Sequence, residues 1–244
     1  MNGILLIDKP SGWTSFDVVA KVRGLLRQSQ STEYRVQGER LPAQDSQFRT
    51  PSSKVKVGHA GTLDPLATGL LVILIGSYCK RASEFSKLDK VYEVTMKLGE
   101  TSTTGDEEGV KTLNPEVRIP NPEELQKTLE KFTGEIMQTP HAFSAIKVNG
   151  QRAYKLARAG KEVAIEPRKV TIYSIADVNY AYPKMKFTTK VSSGTYIRSL
   201  VEDIGKELLV GAYMTALRRT QIGEFNIEDS QPPTDTDLSK LLTK

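Results

Sequence analysis

The sequence predicts an α+β fold, with a mixed, mostly antiparallel central sheet flanked by helices. Three stretches carry that expectation. "KVYEVTMKLGE" sets Tyr92, Val94, Met96 and Leu98 against Val91, Glu93, Thr95 and Lys97, the period-two signature of a strand. "RKVTIYSIADVNYAY" and "KMKFTTKVSSG" follow one another and read as paired strands. "TYIRSLVEDIGKELL" places Ile197, Leu200, Val201, Ile204 and Leu208 on one helical face. Strands and helices mix without strict alternation, and no internal repeat or clear linker divides them. The reading is therefore one domain over residues 1–244.

From the N-terminus, "GILLID" reads as a buried strand and "KPSGW" as a loop. "TSFDVVAKVRGLLRQ" reads as a helix capped by Thr14 with Asp17 three residues on, its apolar face made by Phe16, Val18, Val19, Val22, Leu25 and Leu26. Residues 29–54 are polar and rich in Ser and Gln, and they read as an exposed insertion, a hairpin or a disordered loop. In "VGHAGTLDPLATGLLVILIG" the last seven residues form a central strand. "SYCKRASEFSKL" is helical, and "TSTTGDEEG" is a turn-rich loop. "NPEELQKTLEKFTG" is a helix with proline and acids in its first turn and a glycine stop. "EIMQTPHAFSAIKVNG" starts a long excursion, of which residues 144–168 project. "MTALRRTQIGEF" leads to a strand, and "TDLSKLLTK" reads as a short terminal helix.

Composition narrows the function classes. The chain has 244 residues, 38% hydrophobic and 26% charged, which suits a globular fold rather than a disordered or collagen-like one. Its longest clear apolar run, Leu70 to Ile75, is far too short to span a bilayer. "MNGILLIDKPSG" has no basic leader and no small-residue cleavage site, so no signal peptide is expected. Cys79 is the sole cysteine, which excludes an internal disulfide and a multi-cysteine zinc site and fits a reducing compartment such as the cytoplasm. With only His59 and His141, no metal site is expected. No unexplained apolar stripe calls for a partner, so a monomer is the expectation. The net charge is +5, and residues 147–169 alone hold seven bases against two acids. Such a block is either a footprint for a phosphate backbone or a solvated helix face.

Asp64 is the candidate reactive group. Pro65 biases it toward an extended conformation. Gly58, Gly61 and Gly69 permit tight bends, and the apolar strand that follows is rigid. A carboxylate at the lip of a sheet results. By itself the Asp-Pro dipeptide also reads as an ordinary turn.

"HAGTLDPLATGLL" resembles the catalytic motif of the TruB family of tRNA pseudouridine synthases. "ILLIDKPSGWTSFDVV" resembles that family's N-terminal segment, and "KVYEV" with "KLGETSTTGDEEG" its second motif. "TPHAFSAIKVNGQRAYKLARAG" resembles its RNA-clasping insertion, and "GTYIRSLVEDIG" and "TALRRTQIGEF" its last two motifs. The resemblance runs nearly end to end. It implies the pseudouridine synthase fold, with residues 138–168 as a thumb-like insertion, and a cofactor-free isomerisation of uridine 55 in the T-loop of tRNA.

On that resemblance Asp64 matches the essential aspartate, acting as a nucleophile or as the base that draws off a sugar proton. Arg198 matches the arginine that pairs with it; a guanidinium keeps its charge and offsets the desolvation that would neutralise the carboxyl. Tyr92 matches an active-site tyrosine able to stack on the base and reach a proton, and Leu217 a pocket leucine. His59 matches the histidine that occupies the stack vacated by the everted base. Lys147, Arg152, Lys155 and Arg158 would line the RNA, the last three in one helical stripe, with Lys9 and Lys90 as further phosphate contacts.

The pattern departs in four places. Few residues follow "IGEF", so no C-terminal PUA domain is expected. The 29–54 insertion is unusual, His141 stands where proline is usual, and Ala60 where threonine is usual. A catalytically silent RNA-binding protein and a carboxylate-dependent hydrolase are the alternatives. The latter needs two cooperating carboxyls, and the sequence reading finds no second acid in a comparable setting.

Overall fold

Strand β1 (Gly3–Lys9) is apolar through Ile7, and the start of helix α1 (Ser15–Val36) is fixed by its own sequence. Thr14 Oγ1 accepts from Asp17 N at 3.1 Å, while Asp17 Oδ2 accepts from Thr14 N at 2.8 Å, a reciprocal cap. The computed structural model describes residues 1–36, 55–116, 118–144, 146–148, 150–161 and 163–243. It forms two compact units, Met1–Ser86 with Phe225–Lys244, and Lys87–Glu224.

In the first unit, strand β2 (Val57–Ala60) and β1 both pair antiparallel with β3 (Thr68–Ile75), and helix α2 (Ala82–Ser86) follows a 3₁₀ turn over Gly76–Arg81. All of β3 from Gly69 on is buried, as the continuous apolar run predicts. Val18, Val19, Val22 and Leu26 of α1 pack on Leu5, Ile7, Leu71, Ile73 and Ile75. Each such side chain contributes about 1.5–3 kcal/mol by leaving water.

Three expectations are corrected here. Phe16 is not part of the buried face; it is 74% exposed. The helix does not stop at Gln28 but continues to Val36, so the first part of the predicted 29–54 insertion is helical. The remainder, 37–54, lies outside the described residues. "TDLSKLLTK" forms no α-helix, only a 3₁₀ turn at Leu238–Lys240. Beyond it the chain extends along β1, with Leu242 N donating to Ile4 O and Ile4 N to Leu242 O, both at 2.8 Å. Upstream, Gln231 N donates to Leu6 O and Asp8 N to Gln231 O. These bonds occupy backbone groups that β1 would otherwise leave open at a sheet edge.

The second unit runs β4 (Lys90–Leu98), β5 (Glu100–Ser102), β6 (Lys111–Leu113), α3 (Pro122–Lys131) and β7 (Gly134–Gln138). After these come β8 (Lys147–Val148), β9 (Gln151–Arg152), α4 (Ala153–Arg158), β10 (Arg168–Ala181), β11 (Lys184–Val191), α5 (Ile197–Glu207) and β12 (Ala212–Ile222). Its sheet is antiparallel throughout, in the order β12-β4-β11-β10-β7. Strand β4 alternates as read: Tyr92, Val94, Met96 and Leu98 are buried. Helix α3 is capped by Asn121, whose side chain accepts from Glu124 N. Helix α5 buries Ile197, Leu200, Val201 and Ile204. At Gly205 a Cβ would meet Ala212 N at 2.4 Å, so the turn back into β12 requires glycine. Strands β8 and β9 form a small hairpin, with α4 directly after it.

Candidate active site and RNA-facing segments

The Asp64 loop is built by backbone clamps from the N-terminal loop. Lys9 Nζ donates to the carbonyls of Pro10, Trp13 and Pro65 at 3.0, 2.6 and 3.2 Å. Gly12 N reaches the same Pro65 oxygen at 2.9 Å, and Ser11 Oγ donates to Leu66 O at 3.3 Å. Ser15 Oγ donates to Leu63 O at 3.2 Å and accepts from Leu63 N at 3.0 Å. Asp64 itself closes a turn, its carbonyl accepting from Ala67 N at 3.1 Å. Gly61 and Gly69 adopt φ of 89° and 101°, which a side chain would strain. The Asp64 side chain is half-buried, neither sealed inside nor fully solvated. His59 lies in β2 opposite Ile73, with its ring edge-to-face against Phe16.

In the second unit Arg198 occupies the first turn of α5 and is 7% exposed. Its guanidinium donates to Thr104 O at 3.0 Å and Phe143 O at 2.9 Å, and lies 3.4 Å from Asp106 Oδ2. One side chain thus joins the β5–β6 loop, the segment before β8 and helix α5. The helix start is held by two more residues. Gln138 exchanges bonds with Tyr196 N and O at 2.8 and 3.1 Å, and Ser199 Oγ donates to Thr139 O at 2.9 Å. Tyr92 and Leu217 are each 8% exposed, on adjoining strands, where Tyr92 stands opposite Arg219 and Leu217 opposite Val94.

The predicted phosphate contacts divide. Lys9 is fully buried, with its ammonium turned inward to the three carbonyls above, so its role is to hold the loop rather than to meet RNA. Lys90 is also corrected: it is 6% exposed, and its Nζ donates to Leu88 O. Burial, and then the neighbouring Arg219 charge, pushes its pKa down to about 8. Lys147, Arg152, Lys155 and Arg158 are exposed. Arg152, however, lies in β9 as the residue before α4, so the three-residue helical stripe reduces to Lys155 and Arg158. Arg158 sits over the Tyr154 ring at 5.8 Å.

Comparison with known proteins decides the family. The family model described as TruB family pseudouridylate synthase (N terminal domain) matches residues 49–197, and the tRNA pseudouridylate synthase B C-terminal domain matches 198–243. The tRNA pseudouridine synthase B of Aquifex aeolicus is 42% identical over 234 residues, covering 94% of this chain and 71% of that protein.

The chain belongs to the TruB family of pseudouridylate synthases.

As a TruB-family member it is an isomerase of RNA uridines. The tRNA pseudouridine synthase B of Bacteroides fragilis is 40% identical, covering 94% of this chain and 90% of its own length. A crystal structure of a Cbf5–Nop10–Gar1 complex superposes with a TM-score of 0.65 at 27% identity, covering 96% of this chain and 53% of that one. An H/ACA ribonucleoprotein bound to a substrate RNA containing 2′-deoxyuridine gives 0.63 at 25% identity, and the chain spans about half of that one too. The pseudouridine synthase fold expected from the sequence is therefore present.

Sequence reasoning missed Asp106. It is 5% exposed and fixed from several sides: Thr104 Oγ1 and Glu108 N donate to Oδ1, and Ser102 Oγ donates to its carbonyl. It is a buried acid beside Arg198. The faint signal was an acid in the glycine-flanked loop "TSTTGDEEG". Gln138 was missed as well, since a glutamine ending a strand carries no local mark. His141 Nε2 lies 3.5 Å from Glu202 Oε1, close to Gly105. Among the described residues no cluster of His, Cys, Asp or Glu is arranged to hold a metal ion, and no helix is long and apolar enough to cross a membrane.

Proposed function

We propose that this chain converts uridine 55 in the T-loop of tRNA to pseudouridine, acting in the cytoplasm as one catalytic domain and as a monomer. The reaction is an isomerisation. The N1–C1′ bond breaks, the uracil turns, and a C5–C1′ bond forms. The C5 proton leaves to solvent and N1 takes one up, so atoms and electrons balance without a cofactor. Asp64 supplies the carboxylate, as nucleophile at the sugar or as base toward its proton. Arg198 supplies the cation that keeps a carboxylate ionised. Tyr92 and Leu217 contact the base, and Tyr92 can take part in the last proton transfer. Eversion of the uridine costs a few kcal/mol of unstacking, which His59 offsets by stacking. Lys147, Arg152, Lys155 and Arg158 contact phosphates of the T-arm.

The observation that carries this reading is the clamped Asp64 loop. Lys9, Ser11, Gly12 and Ser15 all fix the backbone on either side of a half-exposed acid. A mere Asp-Pro turn has no need of such positioning, whereas a reacting group does. In the test, an unmodified tRNA transcript is incubated with the protein and pseudouridine is mapped, beside Asp64→Asn. Product at uridine 55 with the wild type alone supports the proposal. RNA binding without product in either overturns it in favour of a silent binder, and release of free uracil in favour of a hydrolase.

A further inference from the structure

Phe16 is a large aromatic side chain left 74% exposed at the start of a helix that buries Val18, Val19, Val22 and Leu26. Local structure does not account for it. The helix is capped by Thr14 and Asp17, and Trp13, the residue before the cap, already packs against the cluster that contains Val18. Scattered surface apolar residues need no explanation, but Phe16 is not isolated. Its ring centroid lies 5.6 Å from that of His59, with the planes at 90°. Its neighbour Ser15 holds Leu63 at both N and O, one residue before Asp64. The ring is thus anchored beside the reactive loop by backbone clamps rather than carried on a mobile tip.

We propose that Phe16 is an RNA-contacting residue: its ring stacks on a nucleobase of the loop next to the everted uridine, extending the surface that His59 offers to the vacated stack. This rests on the pseudouridine synthase reading above. Every base presents a π-face, and splayed single-stranded bases are recognised largely by aromatic stacking. A nucleobase is the ligand whose chemistry matches an exposed ring set edge-to-face against a half-buried imidazole. A partner protein would be expected to take a broader apolar patch.

The test uses the full chain and a synthetic T-arm stem-loop with 2-aminopurine at a position flanking the target. Phe16→Ala is expected to raise Kd about 5- to 150-fold, the range that stacking of one base spans, with a smaller effect on the single-turnover rate at saturating RNA. The aminopurine quenching seen with the wild type is expected to be lost. Phe16→Tyr and Phe16→Trp should restore both, while Phe16→Leu, apolar but without a π-face, should not. Equal Kd and quenching for wild type and Phe16→Ala would overturn the inference, as would full rescue by Phe16→Leu. The Leu and Tyr pair decides the matter should the alanine variant misfold. If the wild type makes no pseudouridine in this stem-loop, the functional reading itself fails. If it does so while Phe16→Ala binds normally, this inference alone falls.

Discussion

Arg198 donates to two carbonyls and lies beside Asp106, so charge and geometry can be separated there. Arg198→Lys keeps the charge but cannot span all three acceptors. It is expected to cost about 1–3 kcal/mol in denaturant unfolding and to slow single-turnover isomerisation sharply. Lys9→Met removes a donor shared by three carbonyls, of which Pro65 O keeps Gly12 N. A loss of about 3 kcal/mol is expected, with the salt dependence of RNA binding unchanged, because the ammonium does not meet phosphate. Lys90 gives a pH signature. Its folded pKa of about 8 lies below the ordinary 10.5, so between those values the unfolded chain binds more protons and stability rises with pH. Relative to Lys90→Met, the wild type should therefore gain stability from about pH 8 upward, the gain levelling off near pH 10.5. Unfolding curves across that window that stay parallel for the two proteins would contradict it.

At the scale of elements, the proposed thumb over residues 138–168 should act through charge. Lys147→Ala and Lys155→Ala are each expected to weaken T-arm binding modestly and to lower the slope of log K against log salt by about 0.7–0.9. An unchanged slope would show that these lysines face away from RNA. The same scale shows what the chain reveals unaided. Strand β4 and helix α5 were legible because their apolar periods of two and 3.6 report burial directly. The end of α1 was not, because "QSQSTEYRV" is polar yet contains neither Gly nor Pro to stop a helix. Arg152 fell outside its expected stripe because a two-residue hairpin strand leaves no periodic trace. Asp106 and Gln138 gain their meaning from residues 92 and 58 positions away, Arg198 and Tyr196, which no local pattern encodes.

On the scale of the whole molecule, the C-terminal segment returns to the first strand. Gln231 is 5% exposed, and it bonds β1 through its backbone and Asp237 through its amide. Gln231→Ala is expected to cost about 0.5–1.5 kcal/mol by removing the two hydrogen bonds that its amide makes with the Asp237 backbone. Family membership was readable because several motifs recur in order. The roles of individual residues rest on one acid, and one measurement tests it most directly. Forming the C5–C1′ bond must expel the hydrogen on C5, so a T-arm carrying [5-³H]uridine at the target should release tritium to water. The wild type is expected to do so in a single turnover without added metal or cofactor. Asp64→Asn should bind the same RNA and fall by on the order of 10⁴-fold or more. Tritium release by a well-folded Asp64→Asn protein at the wild-type rate would contradict the account.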